Sequence, residues 1–379
     1  MNAPSNSKIL YFVTEDWYFC SHRLPLALAA KNAGYDVSVV TRVQSHGDII
    51  KDAGLKLIPL DLSRRGMNPL KELMMIYRLV KIYKSESPDI VHHVALKPVL
   101  YGSVAASLSI APCIVNAMAG LGFIFSSRSI KARVVRPFFM MFFKLLLNRP
   151  KSRVILQNED DASLLSAGGV LSKRKIALIR GSGVDTHVYR TKPEDKVSPV
   201  VILASRLLWD KGVGEFVEAA RKLKNSGMQA KFVLIGEGDE ENPGTISDEQ
   251  LKKWHDEGAI EWWGKKNNMP EVFACSHIVC LPSFYGEGVP KVLIEAAACG
   301  KPIVTTDAPG CRDIVQNGVN GFLVPLRNSF ALADALEKLI TSPELRKKMG
   351  KKGREIVESN FSLEQVNRET LALYDELLK

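Results

Sequence analysis

Two glutamates eight positions apart, Glu287 and Glu295, flank a proline in the stretch SFYGEGVPKVLIEAAACGKP (Ser283 to Pro302). Proline favours the first position of a helix. The pattern predicts that Pro290 opens one, with backbone N–H groups of the Glu287–Val289 loop at its entrance and Glu295 one turn inward. A carboxylate on such a helix can accept both hydroxyls of a ribose, and one on the preceding loop can reach sugar hydroxyls. The plain alternative is a helix-surface ion pair, because Lys291 and Glu295 stand at i,i+4. Upstream, ASRLLWDKG sets Arg206 and Lys211 five apart at a turn that leads into another helix. Two fixed cations beside a helix N-terminus suit a diphosphate. A surface pair with Asp210 suits the same spacing equally well.

The elements that must position these side chains follow from the apolar runs. KILYFVT, DVSVVTR, KLIPLDL, DIVHHVA, CIVNAM and RVILQN read as strands, alternating with helical segments such as HRLPLALAAKNAGY, capped by Gly34, and LKELMMIYRLVKIYKS. After the polar stretch RTKPEDKVSPV (190–200) a second series begins. Its strands are VVILAS, KFVLIG, IEWWG, HIVCLPS, PIVTTD and GFLV, and helical patterns separate them. Continuous apolar strands alternating with helices predict parallel sheets covered on both faces. The expected architecture is α/β, two doubly wound halves, with ligands at the carboxyl ends of the strands and in a cleft between the halves.

The chain has 379 residues, 46% hydrophobic and 24% charged, which suits a soluble protein of two domains. Its six cysteines lack C-x-x-C pairs and read as reduced core thiols. The start, MNAPSNSKILYFV, lacks the basic-then-apolar pattern of an export signal, so the cytoplasm is expected. The net charge of +10 is uneven. Residues 1–180 hold 25 basic and 12 acidic side chains, against 26 and 29 in the remainder. From Ile90 to Asn158 there is no acid, while Arg133, Arg136, Lys144 and Arg149 surround PFFMMFFKLLL with its Phe138 and Phe139. One reading is a solvated face beside an ordinary core helix. The favoured one is a surface helix resting on an anionic bilayer. Nucleic acid is not expected, since stacking platforms spread over a sheet or groove. The uncharged span 98–127 is broken by Gly102, Pro112, Asn116, Gly120 and Gly122. It is therefore expected to form a helix near 98–109, then a buried strand and a turn, and not to cross a membrane.

In this order, SRLLWDKG, LIGEGDE and WWGKKNNMPEVFACSHIVCLPSFYGEGVPKVLIEAAACGKPIVTTDAPGCRDIVQNGVNGFLV, with a final LALYDELL, resemble glycosyltransferase family 4, retaining enzymes of GT-B fold. The resemblance covers the C-terminal half. It implies that Glu295 binds the ribose of a nucleotide sugar and Glu287 the donor sugar, with Arg206 and Lys211 on the leaving diphosphate. Gly236, Lys265, Gly288, Val289 and Pro290 would complete the donor site. No metal or other cofactor is expected, because there is no D-x-D motif and the cations stand in for magnesium.

The first half departs from the family's usual Gly-Gly loop, reading TEDWYFCSHRLP. Asp16, His22 and Arg23 still follow the first strand, and Asp16 is expected among the catalytic groups. The loop where many relatives carry a histidine reads NAMAGLG. His92, His93 and Lys97 instead end an earlier strand, and strand alternation leaves at most one of these histidines functional. With Gly120, they are the expected acceptor-binding residues. The set DWYFCSHRLP, KPVLYG, AGLGF and GSGVD resembles the subgroup that extends polyprenyl-diphosphate-linked saccharides, including N-acetylgalactosaminyl transferases. The expected domains are 1–189, binding acceptor and membrane, a linker 190–200, a nucleotide-sugar domain 201–358, and a helix 359–379 crossing back. The expected activity is transfer of a hexose or N-acetylhexosamine, from a UDP-sugar, to an undecaprenyl-diphosphate-linked saccharide at the inner face of the cytoplasmic membrane. A soluble or lipid A core acceptor, and a nucleotide-sugar 2-epimerase of the same fold, are the alternatives.

Overall fold

Runs such as Ile9–Val13 and Val200–Ala204, apolar and buried throughout, fit the interior of a sheet packed on both faces. The computed structural model describes residues 7–62, 68–109, 113–121, 130–195, 198–284 and 286–379, without the side chains of 130–135 and 139. The chain forms two compact units: one from residues 1–183 and 363–379, the other from 184–362. The second unit begins at Val184, so the polar stretch 190–200 lies inside it.

The first unit is built on strands β1 (Lys8–Glu15), β2 (Asp36–Arg42), β3 (Lys56–Pro59), β4 (Ile90–Val94), β5 (Cys113–Met118), β6 (Ser152–Leu156) and β7 (Ile176–Leu178). All pair in parallel in the order β3-β2-β1-β4-β5-β6-β7. Its early helices are α1 (Asp16–His22), α2 (Leu24–Asn32), α3 (Gly47–Asp52), α4 (Pro69–Glu86) and α5 (Leu96–Ser107). Then come α6 (Ile130–Leu147) and α7 (Glu159–Ala167). The α5 helix starts two residues before the expected position and ends two before it. One sheet face, with Ile9, Tyr11 and Val13, packs on α2; the other, with Leu10, Phe12 and Ile114, packs on α4 and α5.

In the second unit β8 (Val200–Ala204), β9 (Lys231–Ile235), β10 (Glu261–Trp262), β11 (Ile278–Leu281), β12 (Ile303–Thr306) and β13 (Gly321–Val324) form a parallel sheet ordered β10-β9-β8-β11-β12-β13. Its helices are α8 (Val213–Asn225), α9 (Asp248–Asp256), α10 (Met269–Ala274), α11 (Lys291–Ala298), α12 (Cys311–Ile314), α13 (Ser329–Thr341) and α14 (Pro343–Asn360). The last helix, α15 (Leu363–Leu378), lies against the first sheet: Val366, Leu373, Tyr374 and Leu377 join Ile9, Tyr11 and Val13 in one core.

Chain order reverses at β1/β4 and at β8/β11, the places where open parallel sheets take ligands. Two local expectations are corrected. Pro290 caps α11 with extended geometry (ψ 118°) and is not its first helical residue. Cys275 is exposed and Cys20 half-buried, while Cys113, Cys280, Cys299 and Cys311 are core thiols.

Candidate functional site

Arg206 leaves the sheet two residues after β8. Its guanidinium meets Asp239 at 2.6 Å, a carboxylate supplied by the loop after β9. Buried Leu207 and Leu208 anchor the turn, Leu207 by donating its N–H to the Glu237 carbonyl. One turn of 3-10 helix, Trp209–Lys211, then presents Lys211. Gly212 follows at φ +74°, and a Cβ there would lie 2.1 Å from the Pro282 carbonyl oxygen, so only glycine lets the turn sit against the loop after β11. That loop is also held by Phe284 N–H and Ser283 Oγ, which both donate to the Asp210 carbonyl, at 3.0 and 3.2 Å.

The result places Lys211 Nζ 2.7 Å from Glu287 Oε1, with side chains 13% and 16% exposed. Beside them Asp210 has its carboxyl pushed up by burial and by Glu287, against the lowering effect of Lys211 and Arg206. The Glu287–Gly288 backbone rests on Gly310, where a Cβ would stand 1.6 Å from the Gly288 carbonyl oxygen. Gly288, Val289 and Pro290 are buried and lead into α11.

Glu295 is almost wholly buried on α11. It accepts from the Tyr189 hydroxyl at 2.8 Å and lies 3.5 Å from Lys291 Nζ. Burial raises its carboxyl, and Lys291 and Tyr189 oppose the rise. The expected i,i+4 pair therefore forms, with a tyrosine that no local spacing announces, since it stands 106 residues away. Gly236, at φ +132°, packs where a Cβ would meet the Ser205 carbonyl oxygen at 1.9 Å. It donates to the Gly264 carbonyl and accepts from Trp262 Nε1, so β9, β10 and the Arg206 turn share one junction. Lys265 stands exposed next to that junction.

The first unit treats its expected residues differently. Asp16 is buried at the carboxyl end of β1, and its oxygens accept from the N–H groups of Trp17, Gln44 and His46 at 2.7–2.8 Å. Those amides make it the organiser of the loops after β1 and β2 instead of a base open to substrate. His22 is half-buried, stacked on Tyr18 with centroids 4.1 Å apart, and Arg23 is buried.

His92 and His93 are both fully buried, on opposite faces of β4. His92 Nδ1 pairs with the Tyr374 hydroxyl at 2.5 Å. His93 Nδ1 donates to Asn116 Oδ1 at 2.7 Å, and its Nε2 accepts from Tyr83. Burial pushes His92 well below its usual range and His93 down to about 4. The acceptor role expected for one of them is therefore corrected to a core role for both. Sequence alternation sends one histidine to each face, but in a sheet covered on both sides each face is interior. Lys97 pairs with Glu72 at 3.0 Å, and Gly120 turns at φ +89°. Ala95, between β4 and α5, takes φ +78° and ψ 162°, a region nearly reserved for glycine. Nothing in its type marks it.

On α6, Phe138, Met141, Phe142 and Leu145 are 49–70% exposed, whereas Phe143 and Leu147 are buried. Arg136 is half-buried and Lys144 exposed. Arg149 donates to Ser107 Oγ at 2.9 Å. The side chains of Arg133 and Phe139 lie outside the described residues. Among the described residues no helix is long and apolar enough to cross a membrane.

Residues 187–356 match the family described as glycosyl transferases group 1, and residues 8–158 match the glycosyl transferase 4-like family. The chain is 30% identical over 371 residues to the N,N'-diacetylbacillosaminyl-diphospho-undecaprenol alpha-1,3-N-acetylgalactosaminyltransferase of Campylobacter jejuni, covering 94% of this chain and 95% of that one. It is 24% identical to the UDP-Gal:alpha-D-GlcNAc-diphosphoundecaprenol alpha-1,3-galactosyltransferase of Escherichia coli, over 88% and 87% of the two chains. Among solved structures, a glycosyltransferase of Rickettsia africae superposes with TM-score 0.78 at 20% identity, covering 99% of both chains. Anabaena HepE in complex with UDP gives 0.77 at 19%, over 97% of this chain and 100% of that one.

Proposed function

Because the chain belongs to the family 4 glycosyltransferases of GT-B fold, we propose that it moves a hexose or N-acetylhexosamine from a UDP-sugar to an undecaprenyl-diphosphate-linked saccharide, with retention at the anomeric carbon. The full-length likeness to the Campylobacter enzyme carries the acceptor class. The geometry supports the chemistry. In this reading Arg206 and Lys211 take up charge on the leaving diphosphate, and Glu295 holds the ribose. Glu287, paired with Lys211 before substrate enters, turns to the donor sugar. The bond from C1 to the phosphate oxygen breaks, the acceptor oxygen bonds C1 on the same face, and its proton passes to the departing phosphate oxygen. Stabilising that separated charge is the protein's main task. In this reading catalysis needs no metal, since Arg206 and Lys211 supply the positive charge that the leaving diphosphate requires.

The exposed apolar face of α6, with Lys144 at its edge, suits a bilayer surface that brings a lipid-linked acceptor near. Lys144 and Lys173 also line an open hollow of about 550 Å³ beside Leu145.

The test is a panel of UDP- and GDP-sugars with a short-chain polyprenyl-diphosphate saccharide, with the product linkage read by NMR. Transfer from a UDP-sugar with retained configuration is expected. Epimerised nucleotide sugar without transfer, or transfer with inverted configuration, would sink the reading.

A further inference from the structure

The α4 helix carries a second solvent-facing apolar stripe that the site and the α6 face leave unused. Leu70, Leu73, Met74 and Tyr77 are 57–76% exposed at i, i+3, i+4 and i+7, one side of a helix, while Met75, Leu79 and Tyr83 on the opposite side enter the core. The spacing repeats that of Phe138, Met141, Phe142 and Leu145 on α6. Charge on α4 is sorted the same way. Its exposed ionic side chains, Lys71, Arg78, Lys81 and Lys84, are all cations. Its two acids, Glu72 and Glu86, are half-buried and ion-paired with Lys97 at 3.0 Å and Lys56 at 2.6 Å. Lys81 Nζ lies 4.7 Å from the Tyr77 ring centroid, and Arg78 reaches the Met74 sulfur at 4.0 Å, so the cationic stems border the stripe.

The two helices lie on the same side of the first sheet. Ile114 and Met118 share one face of β5; the first packs in the α4 core and the second in the α6 core, and α5 contributes to both.

We propose that α4 is a second contact with an anionic phospholipid bilayer, so that the first unit lies on the membrane through two helices on one side of its sheet. This rests on the bilayer reading of α6. Charge points to the occupant: an apolar stripe on a helix whose exposed charged side chains are all cations, with both of its acids turned inward and neutralised, matches acyl chains beneath anionic headgroups. Two contacts fix the unit's orientation on the surface, which one amphipathic helix does not.

The experiment sediments the full chain with phosphatidylglycerol–phosphatidylethanolamine or phosphatidylcholine vesicles. It compares wild type with an α4 apolar set (Leu73→Ser, Met74→Ser, Tyr77→Ser), an α4 charge set (Arg78→Gln, Lys81→Gln, Lys84→Gln) and an α6 set (Phe138→Ser, Phe142→Ser, Leu145→Ser). Circular dichroism confirms that each set folds. The α4 charge set is expected to weaken anionic-vesicle binding by about fivefold per cation, and the apolar set by tenfold or more. In Tyr77→Trp, brominated acyl chains should quench fluorescence beyond the wild-type background.

If the α6 set releases the protein while both α4 sets bind like wild type, the α4 proposal is overturned and the α6 reading stands. Absence of wild-type binding to anionic vesicles overturns both. A wild-type dimer in sedimentation velocity that the α4 apolar set dissociates, with vesicle binding unchanged, gives the stripe to a second copy and also overturns the proposal.

Discussion

Lys211 and Glu287 neutralise each other at 2.7 Å, both side chains partly exposed, so in the proposed reading an arriving diphosphate exchanges one anion for another at the lysine. Removing either cation should cost about 2–4 kcal/mol of transition-state stabilisation, the scale of a lost oxyanion donor. Arg206→Ala and Lys211→Ala are thus expected to lose most of kcat/KM, checked by steady-state kinetics, and wild-type activity should persist in EDTA. Glu287→Gln keeps the shape and removes the charge; turnover should fall while UDP titration stays near wild type. At His93 the packing is tight enough to rank two effects. Alanine is the better helix former by about 1 kcal/mol, yet a Cβ at Gly102 would lie 2.4–2.7 Å from three atoms of the His93 ring, which two hydrogen bonds hold. Gly102→Ala is expected to destabilise by roughly 1–3 kcal/mol, as overpacking does, read from urea midpoints. Because burial depresses His93 to about 4, its stabilisation is complete above the unfolded value near 6.5 and is lost as pH falls toward 4. That loss approaches about 3 kcal/mol and should appear as a falling urea midpoint over that window. Sequence singled out Arg206, Lys211, Glu287 and Glu295 as candidates because they stand in ordered motifs. It hid Tyr189 and Asp239, whose partners are set by the fold, and it misread His92 and His93 because burial on both faces of a sheet is invisible in alternation.

At the scale of elements, the sheet strands declared themselves because a strand covered on both faces needs an unbroken apolar run. Short β7 did not, being three half-buried residues. Helix α6 was legible as basic and aromatic, but which phenylalanines point outward depends on the helix's roll against β6. Phe143 turns into the core and Phe142 away from it. The loops around Lys211 and Glu287 depend on glycines for closeness. Gly310 at φ +82° supports the Glu287 loop, so Gly310→Ala should push that loop outward and strain the backbone by about 1–3 kcal/mol. Lower turnover together with a lower melting temperature is expected; unchanged kinetics would show that the loop tolerates the shift.

Over the whole molecule, two units of the same topological kind were readable from the repeated strand–helix alternation, but their boundary was not. It falls at Gly183/Val184, ahead of the polar stretch, because composition reports solvent exposure and not which core a residue joins. The return of α15 to the first sheet puts Tyr374 between Tyr11, which it meets at 2.9 Å, and His92. On the ribosome this reverses the order of completion. The unit whose synthesis starts first waits for residues 363–379, while the interrupting unit, 184–362, can close as soon as it emerges. Nascent chains stalled after residue 362 and fully clear of the exit tunnel should therefore show a protease-resistant second unit beside a still-cleavable first one.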